Sequence, residues 1–198
     1  MDSRTAKSEL RLAIKDRLSH ISPKDRTAES RSLSRRILEA LKTASAGTPL
    51  TICAYVPLTD EADIRPVLTE LLTSGHHLFL PAYAAGKLVF RQATDLSTLI
   101  NGTFGIPEPS EDSPELPADA PAIVLVPGRA FDRSGNRLGR GNGGYDIWIR
   151  AQRKLNPITR FWGVALECQV MSDIPTEAHD ERVDAIVTAR GLVQTTKA

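Results

Sequence analysis

The stretch IVLVPGRAFDRSGNRLGRGNGGYDIWIRAQRKL, residues 123–155, reads as three pieces in succession. Ile123–Val126 is a short, unbroken apolar run, the pattern of a strand buried on both faces. A polar segment follows and ends in a cluster of glycines. Residues 146–155 then show helical character. Strand, loop, helix is the building unit of an α/β fold.

The same alternation extends outward in both directions. Leu50–Tyr55 is an apolar run closed by Pro57 and predicts a buried strand. Residues 63–74 place Ile64, Val67, Leu68, Leu71 and Leu72 at helical spacing, with Gly75 as the stop. Leu78–Leu80 predicts a strand, and Lys87–Phe90 another after a turn at Gly86. Residues 101–121, rich in Pro, Gly and acids, predict a long loop. Phe161–Leu166 is a further strand and Ala185–Thr188 the last. Ahead of these stand two amphipathic helices. Residues 4–19 carry Leu10, Ile14 and Leu18 on one face; Ser22–Pro23 then supplies an N-cap and a proline at the first helical position. Leu33, Ile37, Leu38 and Leu41 form the face of this second helix, which Gly47 and Pro49 terminate. The expectation is a mostly parallel sheet covered on both faces by helices, in one domain over residues 1–198, preceded by a helical pair.

Composition excludes several function classes. The 198 residues carry 25 Lys plus Arg against 24 Asp plus Glu, so no global charge favours nucleic acid or a membrane surface. No apolar run approaches the ~20 residues of a membrane helix. The N-terminal MDSRTAKSELRL contains acids and lacks an apolar core, so no secretory leader is expected and a cytoplasmic location is. Cys53 and Cys168 both sit in apolar, strand-like runs without zinc-site spacing, which predicts two buried thiols in a reducing compartment.

Ligands in open α/β sheets bind at the carboxyl ends of strands, here after Tyr55, Val126, Leu166 and Thr188. After Val126 comes RLGRGNGGYD, Arg137–Asp146, in which Gly139, Gly141, Gly143 and Gly144 fall within six residues. Glycines let backbone N–H groups converge on an anion and let the chain approach it closely. Arg137 and Arg140 can fork onto phosphate oxygens, and the helix that Tyr145 and Asp146 begin favours negative charge at its start. Asp146 can cap that helix or hold a metal bound to phosphate. Gly139, Gly141 and Gly144 also satisfy G-x-G-x-x-G, but the dinucleotide fingerprint needs a strand running straight into the first glycine, and Val126 lies a dozen residues upstream. The P-loop ending G-K-[ST] is absent. The segment therefore predicts a phosphate-gripping loop of an ATP-using enzyme.

The acids divide less cleanly. Glu61, in YVPLTDEAD, stands beyond a strand's carboxyl end, where it serves a ligand or shares with Asp60 and Asp63 the capping of the next helix. Asp180 and Asp184 are four apart and either meet one Mg²⁺, a hard cation that prefers oxygen ligands, or act as loop acids that buttress an arginine. His179 reads as a surface residue. Lys7 and Arg11 share a helix face, and with Arg4, Lys15 and Arg17 nearby the spacing alone favours a solvated basic face over a phosphate contact. Trp148 and Trp162 are expected in the core.

Taken together, KSELR at Lys7–Arg11, YVPLTDEAD at Tyr55–Asp63, FGIPEP at Phe104–Pro109, VPGRAFDRSGNRLGRGNGGYD at Val126–Asp146, ECQ at Glu167–Gln169 and HDERVDAIVT at His179–Thr188 resemble, in order, the motifs of 5-formyltetrahydrofolate cyclo-ligases, also called 5,10-methenyltetrahydrofolate synthetases. The resemblance implies a three-layer α/β/α sandwich of the sugar-isomerase and CoA-transferase type. It implies ATP-dependent closure of 5-formyltetrahydrofolate to the 5,10-methenyl form through a phosphorylated formyl group, with ATP and Mg²⁺ as cofactors, a reduced folate as substrate, and no nucleic-acid or membrane partner. A monomer is expected. By the family pattern, Lys7, Arg11, Arg137, Leu138, Gly139, Arg140, Gly141, Asn142, Gly143, Gly144 and Tyr145 would contact ATP, with Arg137 and Arg140 serving the chemistry. Val56, Glu61, Arg140 and Gly144 would meet the folate, and Asp146 and Asp180 would hold Mg²⁺. The chain departs from the pattern at Gly144, where the family usually has an aromatic before the tyrosine, and at Asn142. Losing a stacking surface of this kind forgoes about 0.5–1.5 kcal/mol. This departure motivates a second expectation, a paralogue that binds ATP but acts on another substrate. A third is a non-catalytic nucleotide- or RNA-binding protein using Arg129, Arg133, Arg137 and Arg140, which near-neutral charge and 5% aromatic content disfavour.

Overall fold

A computed structural model describes residues 2–102, 105–120 and 122–196. Phe104 of the FGIPEP motif lies outside the described residues.

Helices α1 (Ser3–Ser19) and α2 (Pro23–Ser45) open the chain as expected. The Ser22 hydroxyl accepts a hydrogen bond from the Asp25 N–H with Pro23 at the first helical position, and Ala46 leaves α2 in a left-handed conformation. Strand β1 (Thr51–Cys53) follows, then α3 (Arg65–Thr73), β2 (His77–Ala84) and β3 (Lys87–Gln92). The stretch 101–121 is mostly loop, carrying one small ladder between β4 (Ile100–Asn101) and β5 (Pro107–Glu108). Next come β6 (Ile123–Pro127), β7 (Ala130–Asp132), β8 (Arg137–Leu138), α4 (Gly144–Leu155), β9 (Arg160–Val164), β10 (Val170–Met171), β11 (Ala185–Thr188) and β12 (Gly191–Gln194).

Three expectations need correction. Ala185–Thr188 is not the last strand, because β12 folds back on it antiparallel. Strand β2 runs past Leu80 to Ala84: its parallel pairing with β1 ends at Phe79, so Pro81 sits where no β1 partner needs its missing N–H. The polar segment after Val126 is not a plain loop. Strands β7 and β8 pair with each other, and β10 joins β7, in a small three-stranded sheet. The buried Asp132 carboxylate folds the turn between β7 and β8 by accepting the Ser134 and Asn136 N–H groups.

The main sheet has the order β12-β11-β9-β6-β1-β2-β3. Five central strands are parallel, and both edge strands run antiparallel. Numbering only the parallel strands along the chain, the order is 2-1-3-4-5, which reverses direction between β1 and β6. Alternate residues of each strand feed two cores. Ile52, Leu78, Leu80, Ile123, Leu125, Trp162 and Val187 pack with Ile14, Leu18, Leu33, Ile37, Val67, Leu68 and Leu71 of α1, α2 and α3. Cys53, Phe79, Val124, Val126, Phe161 and Ile186 pack with Phe90, Phe131 and Ile149 of α4 on the other face. This is the expected three-layer α/β/α arrangement. Trp148 lies against Phe90, with ring centroids 4.4 Å apart. No described helix is long and apolar enough to cross a membrane.

Candidate active site

The reversal of strand order between β1 and β6 opens a crevice beyond their carboxyl ends, the place where doubly wound sheets bind ligands. A cleft of about 900 Å³ lies there, walled by the segment after β1, by β8 and the glycine loop, and by the start of α1. Leu138, Gly139, Gly141, Asn142, Gly143 and Tyr145 of the loop all line it, as do Lys7, Arg11, Val56, Glu61, Arg137, Arg140, Asp146 and Asp180. Gly144 does not line the cleft. It stands just behind the wall, and a Cβ built on it would come 3.0 Å from the Tyr83 hydroxyl oxygen.

The basic face of α1 is not solvated at Lys7. The Lys7 side chain is buried, and its ammonium lies 2.6 Å from Glu177 Oε2 and 2.6 Å from Asp180 Oδ2. Burial lowers the affinity of this amine for its proton, but hydrogen bonds and charge from Asp180 and Glu177 outweigh it, so the pKa is raised. One turn on, Arg11 Nε donates to the Gly139 carbonyl at 2.9 Å, which ties α1 to the glycine loop.

Arg137 is equally buried. Its Nη2 donates to Asp146 Oδ1 at 2.8 Å, while Nε has no hydrogen-bond partner among the described residues. Asp146 Oδ1 also accepts the Glu181 N–H at 3.2 Å, so this carboxylate is already engaged on one oxygen. Gly141 and Gly143 adopt positive φ values of 105° and 69°, the conformational freedom for which the loop uses glycine. Gly143 is the N-cap of α4, and the helix starts at Gly144. Tyr145 packs beneath Arg137, whose guanidinium carbon lies 5.7 Å from the ring centroid. Burial pushes the Tyr145 hydroxyl pKa well up, so it stays protonated.

On the opposite wall, Glu61 does not cap α3. Its Oε2 accepts the Leu58 N–H at 3.0 Å, closing the turn after β1, and Oε1 receives Arg140 Nε at 3.2 Å. The N-cap is Ile64, without a side-chain cap bond, and just before it Asp63 Oδ1 accepts the Arg65 N–H at 3.0 Å. Asp60 binds both Arg129 and Arg140. Burial pushes its carboxyl up, but the two guanidinium groups outweigh that and hold it below the ordinary range. Arg129, Arg137 and Arg140, three of the four arginines considered as a nucleic-acid face, are thus each matched to a carboxylate: Arg137 to Asp146 and Arg140 to Glu61, which line the cleft, and Arg129, like Arg140, to Asp60 next to Glu61 in the chain.

Asp184 lies away from the cleft and does not join Asp180. Its Oδ2 accepts the Phe161 N–H at 2.8 Å and its Oδ1 meets Arg153 at 3.2 Å, so it buttresses β9 and an arginine. The carboxylate beside Asp180 is Glu177, which carried no spacing signal. With the exposed His179, these two form the one described group of three potential metal-ligating side chains, their donor atoms all within 4.8 Å. Tyr83, at the far end of the lengthened β2, was also missed. Its hydroxyl accepts from Asn142 Nδ2 at 3.1 Å and faces the cleft with Pro81, Leu88 and Ile106.

The model of the 5-formyltetrahydrofolate cyclo-ligase family matches residues 3–189. The chain belongs to this family. The match takes in every wall of the cleft, from α1 to the end of β11. Among cyclo-ligases, the protein of Mycolicibacterium smegmatis is 34% identical over 197 residues, 95% of this chain and 96% of that one. The Escherichia coli K12 cyclo-ligase is 31% identical over 144 residues, 70% of this chain and 77% of that one. In three dimensions the chain is similar to the 5,10-methenyltetrahydrofolate synthetase of Aquifex aeolicus, with a TM-score of 0.79, 29% identity, and 97% and 94% of the two chains covered. The Mycoplasma pneumoniae synthetase shares the fold at a TM-score of 0.69 and 18% identity, over 92% of this chain and 98% of that one.

Proposed function

We propose that this cleft carries out ATP-dependent cyclisation of 5-formyltetrahydrofolate to 5,10-methenyltetrahydrofolate. The observation that carries the assignment of roles is the convergence at one crevice of a glycine loop, buried arginine and lysine side chains, and a carboxylate-bearing wall. The formyl oxygen is a poor leaving group. Transfer of the γ-phosphoryl group of ATP to it makes a good one. The N10 amine then attacks the activated carbon and gives up its proton; the carbon–oxygen bond breaks, and inorganic phosphate leaves as the ring closes. ADP, phosphate and the methenyl product result.

In this reading Lys7, Arg11, Arg137 and the cleft-lining loop residues 138–143 and Tyr145 hold the nucleotide, Val56 and Glu61 hold the folate, and Arg140 stands between the two. Phosphoryl transfer depends on positioning and charge neutralisation, which these side chains are equipped to supply. Mg²⁺ prefers oxygen ligands, and carboxylate oxygens of Glu177 and Asp180 lie together at the cleft, with His179, within 4.8 Å of one another. The Lys7 ammonium, bridging Glu177 and Asp180, marks a place where positive charge is already favoured. Asp180 and Asp146 would hold the ion, which would neutralise charge on the phosphates.

The test is kinetic. Arg137→Ala and Arg140→Ala should each lower turnover of 5-formyltetrahydrofolate with Mg-ATP by roughly 10²-fold or more, as loss of a transition-state charge donor does. Turnover within twofold of wild type in both variants would remove these arginines from the chemistry.

A further inference from the structure

Asp60 was read from sequence only as one of three acids that could cap a helix. It does not cap α3. Its two carboxylate oxygens are divided between two arginines from different segments: Oδ2 binds Arg129 of the β6–β7 connection and Oδ1 binds Arg140 of the glycine loop. Arg129 is the fixed end of this chain of contacts. Its backbone N–H donates to the Leu138 carbonyl at 2.7 Å, and its carbonyl accepts from Gln169 Nε2 at 3.1 Å. Arg140 is the movable end. It is about one-third exposed, and its other partner is Glu61, at 3.2 Å. The turn that carries both acids is itself tied down, with Arg26 Nη2 on the Glu61 carbonyl and Arg65 Nη2 on the Pro57 carbonyl.

This geometry sets up a competition. Asp60, Glu61, Arg129 and Arg140 form a neutral group of four, and Arg140 shares its fork between the two acids. Glu61 has one oxygen engaged by the Leu58 N–H, which leaves the oxygen facing Arg140 as its freer one. Without the Asp60 charge, Glu61 would be the one acid left to hold Arg140, and the guanidinium would settle onto it bidentately, the favoured arginine–carboxylate arrangement. That would cover the carboxylate assigned to the substrate.

We propose that Asp60 is a positioning residue for the cyclisation: anchored on Arg129, it holds the Arg140 guanidinium at the cleft and keeps it from closing over Glu61. The inference rests on the roles given above to Arg140 and Glu61. It makes a selective prediction, because of the side chains given to the nucleotide only Arg140, which stands between the two ligands, is held by Asp60; Lys7, Arg11, Arg137 and the loop backbone are not.

The experiment is steady-state kinetics of the full-length enzyme with Mg-ATP and 5-formyltetrahydrofolate, for Asp60→Asn, Asp60→Glu and Asp60→Asn combined with Arg140→Lys. Asp60→Asn should raise the KM for the folate roughly tenfold, the scale of one charge-assisted hydrogen bond, with the KM for ATP within about twofold of wild type. Asp60→Glu, which keeps the charge, should recover most of that loss. In the Arg140→Lys background, Asp60→Asn should add little further, since a lysine lacks the fork that closes over Glu61. Equal rises in both KM values, or no rise in the folate KM, would overturn the proposal. So would independent effects that multiply in the double variant. If Asp60→Asn does not fold, the Arg140→Lys variant still decides: it removes the fork that Asp60 holds, so its folate KM should rise, and a folate KM unchanged from wild type would overturn the proposal. A wild-type enzyme that forms no methenyl product would instead contradict the function on which the inference rests.

Discussion

The Lys7 ammonium sits 2.6 Å from Asp180 Oδ2, joining the first helix of the chain to a loop 173 residues later. The same nitrogen meets Glu177, and all three groups border the cleft. Replacing Lys7 by Met leaves two carboxylates facing each other with no cation between them. The expected result is a loss of about 2 kcal/mol or more of stability, because a largely buried charge loses its partner. A fall in ATP affinity of roughly tenfold, read by calorimetry, should accompany it. The pH dependence has a definite sign. The lysine pKa is raised above 10.5 in the folded protein, so its stabilisation is complete below that value and is lost as pH rises through the folded pKa. Melting temperatures compared on either side of pH 10.5 should show the alkaline loss in wild type and a smaller one in Lys7→Met.

Gly144 and Tyr83 are tight neighbours, since a Cβ at position 144 obliges the Tyr83 hydroxyl to give by a few tenths of an ångström. The family's usual aromatic at position 144 would bring a Cβ within 3.0 Å of the Tyr83 hydroxyl, which Asn142 already holds at 3.1 Å. The small residue is therefore matched to Tyr83 rather than being a simple loss. Gly144→Tyr should displace Tyr83 from the wall and raise the folate KM by roughly two- to tenfold, the range expected from one aromatic contact. Adding Tyr83→Ala should bring the value back toward wild type. A Gly144→Tyr variant with unchanged folate KM would show that the two side chains do not compete.

Asp132 organises the small sheet that presents Arg137. It is 1% exposed and accepts four hydrogen bonds: the N–H groups of Ser134, Asn136 and Ile174, and the Asn136 amide. Asp132→Ala strands those buried donors and should cost about 3 kcal/mol or more in urea unfolding. Asp132→Asn, which keeps one carbonyl acceptor, should lie between that and wild type.

Asp184 supplies the contrast to Asp180. Because it holds the Phe161 N–H and Arg153 rather than the cleft, Asp184→Ala should lower the melting temperature while leaving Mg-ATP affinity within about twofold of wild type. Asp180→Ala should weaken Mg-ATP binding. An equal loss of nucleotide affinity in both would restore Asp184 to the metal site.

Much of this was legible in the chain itself, for identifiable reasons. Ser22–Pro23 announced α2 because capping is a local interaction. The continuous apolar runs announced the parallel strands because both of their faces are buried. The glycine loop was visible because its composition is unusual over ten residues. What escaped notice depends on distant partners or on short polar strands. Strands β7 and β8 are too short and too polar for periodicity, and their turn is built by one side chain. Glu177 sits in a Pro- and Glu-containing loop with nothing to separate it from any solvated acid until Lys7 arrives from the far end of the chain. Asp180 and Asp184 looked equivalent at four-residue spacing. The sheet divides them, because Asp184 stands where β11 begins and turns toward β9. Tyr83 was missed because β2 was read only over its apolar run Leu78–Leu80, and the strand continues through Pro81 to Ala84.

The most direct measurement of the central claim is formation of the methenyl chromophore when purified protein is mixed with Mg-ATP and 5-formyltetrahydrofolate, with ADP followed in parallel. The chromophore should appear only when ATP is present, with one ADP released per methenyl group formed. No chromophore at high enzyme concentration, or chromophore formed without ADP, would contradict the account.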